Sequence, residues 1–304
     1  MSAPPDRGPA DRGGGEPGTG FGERVVRAVQ LTGPLCAGID PSPSLLAAWG
    51  LPDDAHGLRE LGRRCVDAFA GVVPVVKPQV AFYERHGSAG FAALEDLLGE
   101  ARSAGLLVIA DAKRGDIGST SAAYAGAWLD DGSPLAADAV TAVAYMGLGA
   151  LAPMLDAARR SGRAVIVVAR SSNPEGSLVQ DSLAEDGRRL GDRLLDDIAR
   201  MNAEEVASRE GTLDAGVPGA LGAVVGATLR RVDATLPRLG GVILAPGVGA
   251  QGATGSDVAA LFAGCPSGTV LPSASRSVLG AGPDRGPLRR AAAKLRDEMS
   301  AALC

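Results

Sequence analysis

The chain has 304 residues, 46% apolar but only 3% aromatic, with a net charge of −5 and a pI near 5.2. A core of Ala, Val, Leu and Ile on this scale suits parallel sheets covered by helices. The acidic balance and the lack of a Lys/Arg run exclude a nucleic-acid surface, and no apolar stretch approaches the roughly 18 residues of a membrane span.

Residues 1–20 are rich in Gly, Pro, Asp and Arg and carry no apolar segment, so they are expected to be a disordered tail rather than a signal peptide. From residue 21 to 304 short apolar runs recur: Leu35–Ile39, Val72–Val76, Leu106–Ile109, Ala139–Val143, Val165–Ala169, Ala223–Ala227, Gly241–Ala245 and Thr269–Leu271. Between most of them lie stretches with helical spacing, such as Gly57–Phe69, Gly90–Ala104, Leu148–Arg160 and Val258–Ala263. Eight strand–helix alternations predict a single α/β domain, a (β/α)8 TIM barrel, with an open doubly wound sheet as the alternative. Ser182–Arg209 reads as an enlarged helical arm of the fifth unit, and Ala227–Leu239 is left to supply the sixth helix, shortened by Pro237. The cysteines Cys36, Cys65, Cys265 and Cys304 show no CxxC spacing, which predicts reduced thiols in a cytoplasmic protein.

In a barrel, chemistry belongs at the C-terminal ends of the strands. That rim collects Asp40 after the first run, Lys77 after the second, and Asp111 and Lys113 after the third. Ser171-Ser172-Asn173 follow the fifth, Gly247 to Gly252 the seventh, and Ser275-Arg276 the eighth. Asp111 and Lys113, two apart on a strand, leave it on one side, with Asp116 on the following turn. Such an array of alternating charge perturbs the pKa of each member. The plainer alternative is a solvated ion pair, with Asp116 capping a helix that begins near Ser119. The Ser171–Asp181 loop has the composition of a segment able to close over a ligand. The backbone of the Gly247–Gly252 loop, including Gly249 and Gly252, suits close approach to an oxyanion, and Arg276 supplies a permanently charged fork. Together they predict a phosphate site.

These residues carry a family resemblance. The segment Asp111-Ala-Lys113-Arg-Gly-Asp116-Ile117 matches the Asp-x-Lys-x-x-Asp-Ile signature of orotidine 5′-phosphate decarboxylases. Val76-Lys77-Pro78-Gln79-Val80-Ala81-Phe82-Tyr83-Glu84, Arg170-Ser171-Ser172-Asn173-Pro174, Pro246-Gly247-Val248-Gly249-Ala250-Gln251-Gly252 and Ser275-Arg276 match its longer bacterial subgroup. One departure stands out: Val143-Ala144 precede Tyr145-Met146-Gly147 where the subgroup has Asn-Pro, which bears on the packing of that strand end.

The resemblance implies a barrel, a homodimer with active sites at its interface, and cofactor-free, metal-free conversion of orotidine 5′-monophosphate to UMP and CO2, the last step of de novo pyrimidine nucleotide synthesis. In that reading Lys113 stabilises negative charge at C6 and then protonates it, Asp111 repels the substrate carboxylate, and Lys77 holds Asp111 and the ribose. Asp40 accepts ribose hydroxyls. Asp116, with Ile117 and Thr120, reaches the partner's site. Ser172 and Asn173 meet the pyrimidine, Gln251 bridges their loop to the phosphate, and Gly249, Gly252, Ser275 and Arg276 hold the phosphate. Two other readings stay open: a metal-using phosphosugar enzyme on the same barrel, and a catalytically silent nucleotide binder.

Overall fold

The computed structural model describes residues 19–208, 217–232 and 236–303. Eight parallel strands run in chain order: β1 (Cys36–Ile39), β2 (Val75–Pro78), β3 (Leu107–Arg114), β4 (Ala139–Ala142), β5 (Ala164–Arg170), β6 (Leu221–Val225), β7 (Ile243–Pro246) and β8 (Val270–Ala274). Each pairs with the next, and β8 pairs back onto β1 through Cys36 and Ser273, so the sheet is a closed barrel. The (β/α)8 expectation holds and the open-sheet alternative falls.

Side-chain alternation sorts each strand into an outward and an inward row. Ala37, Ile39, Val76, Ala110, Val140, Val165 and Val167 point out and are buried under the helix layer. Cys36, Val75, Ile109, Ala139, Ala164, Ile166, Val224, Leu244 and Leu271 fill the inside. The helix Phe21–Thr32, which the sequence analysis did not single out, inserts Phe21 and Val25 into this inner cluster and closes the N-terminal end. The opposite end is left for polar groups.

Local chemistry sets the boundaries. Asp54 accepts from the Gly57 amide at 2.9 Å and starts the helix Ala55–Phe69. Thr254 and Asp257 form a reciprocal capping box before the helix Gly255–Leu261. The second strand begins later than predicted, at Val75 beyond Pro74, and runs through Lys77 instead of ending before it. Strand β3 likewise continues through Asp111 and Lys113.

Two helical expectations are corrected. The fifth unit's long helix spans Leu190–Ser208, not Ser182–Arg209. Residues 182–189 instead form a small turn, in which Ala184 N–H donates to Arg188 O at 2.8 Å and Gly187 takes φ +77°, a conformation that ends helical winding. Arg209 lies outside the described residues. In the sixth unit the described part of Ala227–Leu239 contains only the 3-10 turn Leu236–Arg238. Pro237 sits inside that turn, where it removes the amide a longer helix would need. Residues 1–18 of the expected tail, and Cys304, also lie outside the described residues.

Candidate active site

At the C-terminal mouth the inward rows of β1, β2, β3 and β8 become polar. A cavity of about 280 Å³ opens there, lined by Asp40, Lys77, Asp111, Lys113, Ser171, Ser172, Asn173, Gln251, Ser275 and Arg276 among others. Inward parity explains the membership: Lys77 is two residues beyond Val75, Asp111 two beyond Ile109, and Ser273 two beyond Leu271.

Asp111 is the centre. Its Oδ2 receives Lys77 Nζ at 2.9 Å and its Oδ1 receives Lys113 Nζ at 2.5 Å. Lys77 and Asp111 are 7% and 8% exposed while the Lys113 side chain is 47% exposed, so the Asp111–Lys113 pair of the plainer reading is solvated on its lysine side only, and a buried Lys77 holds the carboxylate from the other. Burial by itself would push the Asp111 carboxyl up, but the two ammonium groups outweigh it and hold the carboxyl at about 2. Burial likewise opposes the charge on Lys77, and the Asp111 and Asp40 carboxylates overcome it and hold the ammonium above the ordinary lysine range. The buried Lys77–Asp111 pair is therefore charged at neutral pH.

Asp40 Oδ1 lies 3.9 Å from Lys77 Nζ, buried and without a hydrogen-bond partner. The Ser275 hydroxyl is also buried and unpartnered. Buried acceptors of this kind are costly unless something else satisfies them, and both flank the cavity. Arg276 follows Ser275, exposed and without an ion pair among the described residues. Across the mouth, Ser171 N–H donates to Gln180 Oε1 at 2.9 Å and Ser171 Oγ to Asn173 Oδ1 at 2.7 Å. The loop is anchored from below by Arg170, which is buried, donates to Gln180 O at 3.1 Å and pairs with Asp181 at 2.8 Å.

The glycine segment after β7 folds on itself: Gly249 N–H donates to Ala253 O at 2.9 Å. Gly249 has φ +73°, and a Cβ there would meet Ser277 Oγ at 2.3 Å, so only glycine lets the β7 and β8 loops lie this close. Gly249 thus borders the cavity without lining it. Gly252 lines a neighbouring cavity of about 600 Å³ beyond the same loop, together with Thr228, Arg230, Arg231 and Asp257. That larger space holds no juxtaposed lysine and carboxylate, and the chemistry lies in the smaller one.

Asp116, Ile117 and Thr120 are not brought into the cavity of their own chain. Asp116 Oδ1 accepts the Ile117 amide at 2.8 Å, and the helix Gly118–Leu129 has no side-chain cap, so the capping alternative for Asp116 is not realised. Sequence reasoning missed Gln79, which lines the cavity, and Thr141, which touches both Asp111 and Lys113. The signal for Thr141 was available: it is the one hydroxyl in an apolar strand, at an inward position two beyond Ala139. Arg114, inside the motif, has a packing role. It pairs with Glu84 and sits over the Tyr124 and Trp128 rings at 5.7 and 5.8 Å.

Among the described residues, no group of three or more His, Cys, Asp or Glu side chains is placed to hold a metal ion, and no helix is long and apolar enough to cross a membrane. Burial raises the Cys36 thiol to about 12, against the opposing pull of Lys77, and raises Cys65 as well, so neither is poised as a nucleophile.

Fold and site together define a β/α-barrel of the enzyme type, with an array of acids and lysines fixed in the cavity at its C-terminal mouth. Comparison with known proteins narrows this class: residues 33–291 match the family model described as orotidine 5′-phosphate decarboxylase / HUMPS family. The chain is 51% identical over 269 residues to the orotidine 5′-phosphate decarboxylase of Corynebacterium efficiens, covering 88% of this chain and 93% of that one. A crystal structure of a candidate orotidine 5′-phosphate decarboxylase from Streptomyces avermitilis superimposes with a TM-score of 0.85 at 46% identity, over 94% and 96% of the two chains. The OMP decarboxylase of Leishmania donovani gives 0.71 at 27% identity, over 93% and 99%. The chain belongs to the orotidine 5′-phosphate decarboxylase / HUMPS family.

Proposed function

We propose that this enzyme converts orotidine 5′-monophosphate to UMP and CO2 without metal or organic cofactor, with Lys113 as the proton donor. The observation that carries the reading is the buried carboxylate of Asp111 clasped between Lys77 and Lys113 inside the cavity. A binding site for an anionic nucleotide gains nothing from a fixed carboxylate. A decarboxylase does, because the carboxylate it repels becomes neutral CO2 as the reaction proceeds.

The steps balance within these groups. The C6–carboxylate bond breaks, CO2 departs, and the electron pair stays at C6 in a ring orbital outside the π system. The Lys113 ammonium stabilises that charge electrostatically and passes a proton to C6, after which solvent reprotonates the amine. Lys77 holds Asp111 in register and, with Asp40, meets the ribose hydroxyls. Arg276, Ser275 and the β7 loop at Gly249 and Gly252 bind phosphate, Ser172 and Asn173 read the pyrimidine edge, and Gln251 joins that loop to the phosphate. Binding energy gathered at the phosphate, remote from C6, assembles the charged array.

The reading includes a homodimer in which Asp116, Ile117 and Thr120 serve the partner's cavity. Val143 N–H donates to Arg114 O at 2.8 Å, so the loops after β3 and β4 lie side by side. Beside them Ile117, Val143, Tyr145 and Met146 are 60%, 37%, 83% and 47% exposed, a large apolar surface of the kind that pairs with a second copy. Val143 therefore extends this surface, where the resembling subgroup carries a polar Asn. In this reading the protein works in the cytoplasm, in keeping with its free Cys36, Cys65 and Cys265, and the reaction is the last step of de novo pyrimidine nucleotide synthesis.

The test is loss of orotate absorbance and release of CO2 when the purified protein meets orotidine 5′-monophosphate in excess EDTA. Turnover in chelator is expected. Turnover that vanishes with EDTA and returns with a divalent metal would overturn the cofactor-free mechanism, and no turnover in either condition would overturn the activity.

A further inference from the structure

We propose that Thr141 on β4 is the positioning residue that sets the placement of both Asp111 and Lys113, by replacing a stretch of sheet hydrogen bonding that the active site gives up. The inference rests on the functional reading above and extends it to a residue outside the family signature.

The β3–β4 ladder is regular up to Ala110, which pairs with Val140, and resumes where Arg114 pairs with Ala142. Between those pairs Asp111, Ala112 and Lys113 stand opposite Thr141 alone. Three residues against one is a bulge, a device that re-aims side chains at the expense of backbone pairing. Its consequence is visible at Lys113, whose φ of +49° makes it the single non-glycine residue with positive φ among those described. A side-chain-bearing residue in that region is strained and persists only where its surroundings hold it.

Thr141 supplies the hold. Its Oγ1 accepts the Lys113 backbone N–H at 2.9 Å, the amide that the bulge has taken out of the ladder. The same hydroxyl donates to Asp111 Oδ1 at 2.9 Å. Asp111 Oδ1 in turn receives Lys113 Nζ at 2.5 Å. The two nitrogens of Lys113 are thus tied together through one carboxylate oxygen and one hydroxyl, which orients the ammonium from both ends. Thr141 is 1% exposed, so solvent does not take over if the hydroxyl is lost. Only a hydroxyl can donate and accept through one atom in this space.

The experiment compares Thr141→Val, which keeps the shape and removes both bonds, with Thr141→Ser, which keeps the hydroxyl. Kinetics with orotidine 5′-monophosphate, UMP affinity, thermal unfolding and hydrogen exchange at the Lys113 amide are measured for each. Thr141→Val is expected to lower kcat about 10–100-fold, as loss of hydrogen bonds to a buried charged centre does, while KM and UMP affinity stay within about twofold. Thr141→Ser restores most of kcat. The Lys113 amide is protected in the wild type and in Thr141→Ser and exchanges freely in Thr141→Val.

A Thr141→Val enzyme with wild-type kcat would overturn the proposal. So would one that loses kcat, nucleotide affinity and thermal stability together with no recovery in Thr141→Ser, since that is the pattern of a merely structural role. If Thr141→Val does not fold, rapid exchange of the Lys113 amide in the wild type or in Thr141→Ser overturns it. Wild-type protein inert toward orotidine 5′-monophosphate would remove the functional reading instead, and the amide exchange would still decide the claim about Thr141.

Discussion

Lys77 and Asp111 face each other at 2.9 Å inside the barrel mouth, each less than a tenth exposed, and neither has another full countercharge as close except Lys113 on the second carboxylate oxygen. A buried pair of this kind is a weak source of stability while intact, yet removing one partner strands the other charge in a poorly solvated place. Asp111→Ala is therefore expected to cost about 3–5 kcal/mol of unfolding free energy in addition to abolishing turnover. Chemical denaturation checks it; an unchanged midpoint and slope would show that water reaches Lys77.

The acid response follows from the direction of the Asp111 shift. Its carboxyl sits at about 2, below the ordinary value near 4 that it has in the unfolded chain. A lowered folded-state pKa contributes stability that is present above the unfolded value and is lost as pH falls through the folded one. Asp111 is expected to stay ionised from neutrality down to about pH 3, with its share of stability disappearing between about pH 4 and 2. Carboxyl NMR titration of the protein measures this, and protonation of Asp111 above pH 4 would contradict it. On the basic side Lys77, held above the ordinary lysine range, keeps its contribution until pH exceeds that range.

Lys113 and Asp116 test whether chemistry separates from binding and whether one chain completes the other's site. Lys113→Ala is expected to lose nearly all turnover while retaining UMP affinity, because the groups assigned to phosphate and ribose are untouched; calorimetric titration of the variant checks the second half. Mixing Lys113→Ala chains with Asp116→Ala chains is expected to restore about a quarter of wild-type activity, since half the dimers are mixed and each mixed dimer has one complete site. Absence of recovery after verified subunit exchange would place Asp116 in the service of its own chain.

Arg276 and Gly38 test the phosphate end from two directions. Arg276→Ala removes the exposed guanidinium beside the cavity and is expected to raise KM about 10–100-fold with a smaller change in kcat. Gly38 lies inward on β1, where a Cβ would stand 2.7 Å from Ser275 Cβ. Gly38→Ala is expected to displace Ser275 and with it the start of the Arg276 turn, raising KM without touching a lysine or carboxylate. Steady-state kinetics of both variants decide the matter; a Gly38→Ala enzyme with normal KM would mean that the β8 loop tolerates the shift.

Much of the site was readable in the chain because inward parity on a short strand is a local rule. Val75 and Lys77, Ile109 and Asp111, and Leu271 and Ser273 each step from apolar interior to polar mouth in two residues. The departures came where a local rule was overridden. The turn around Gly187 delayed the long helix to Leu190, and Pro237 left the sixth unit with a 3-10 turn in its described part. Thr141 carried a local signal as the lone inward hydroxyl of its strand, but what it does there depends on a bulge in a different strand.

By itself the sequence determined the alternation of eight strands with covering segments, the end of the barrel that carries the chemistry, and the residue types gathered there. Strand periodicity, glycine and proline positions and charge placement are properties of neighbouring residues, and they survive without any knowledge of what lies across the barrel. Only the tertiary structure decided that Asp111 is clasped from both sides, that Lys113 adopts a left-handed backbone bonded to Thr141, and that Asp116 does not line the cavity of its own chain. Those facts depend on register between strands some thirty residues apart, and register is fixed by closing the whole sheet.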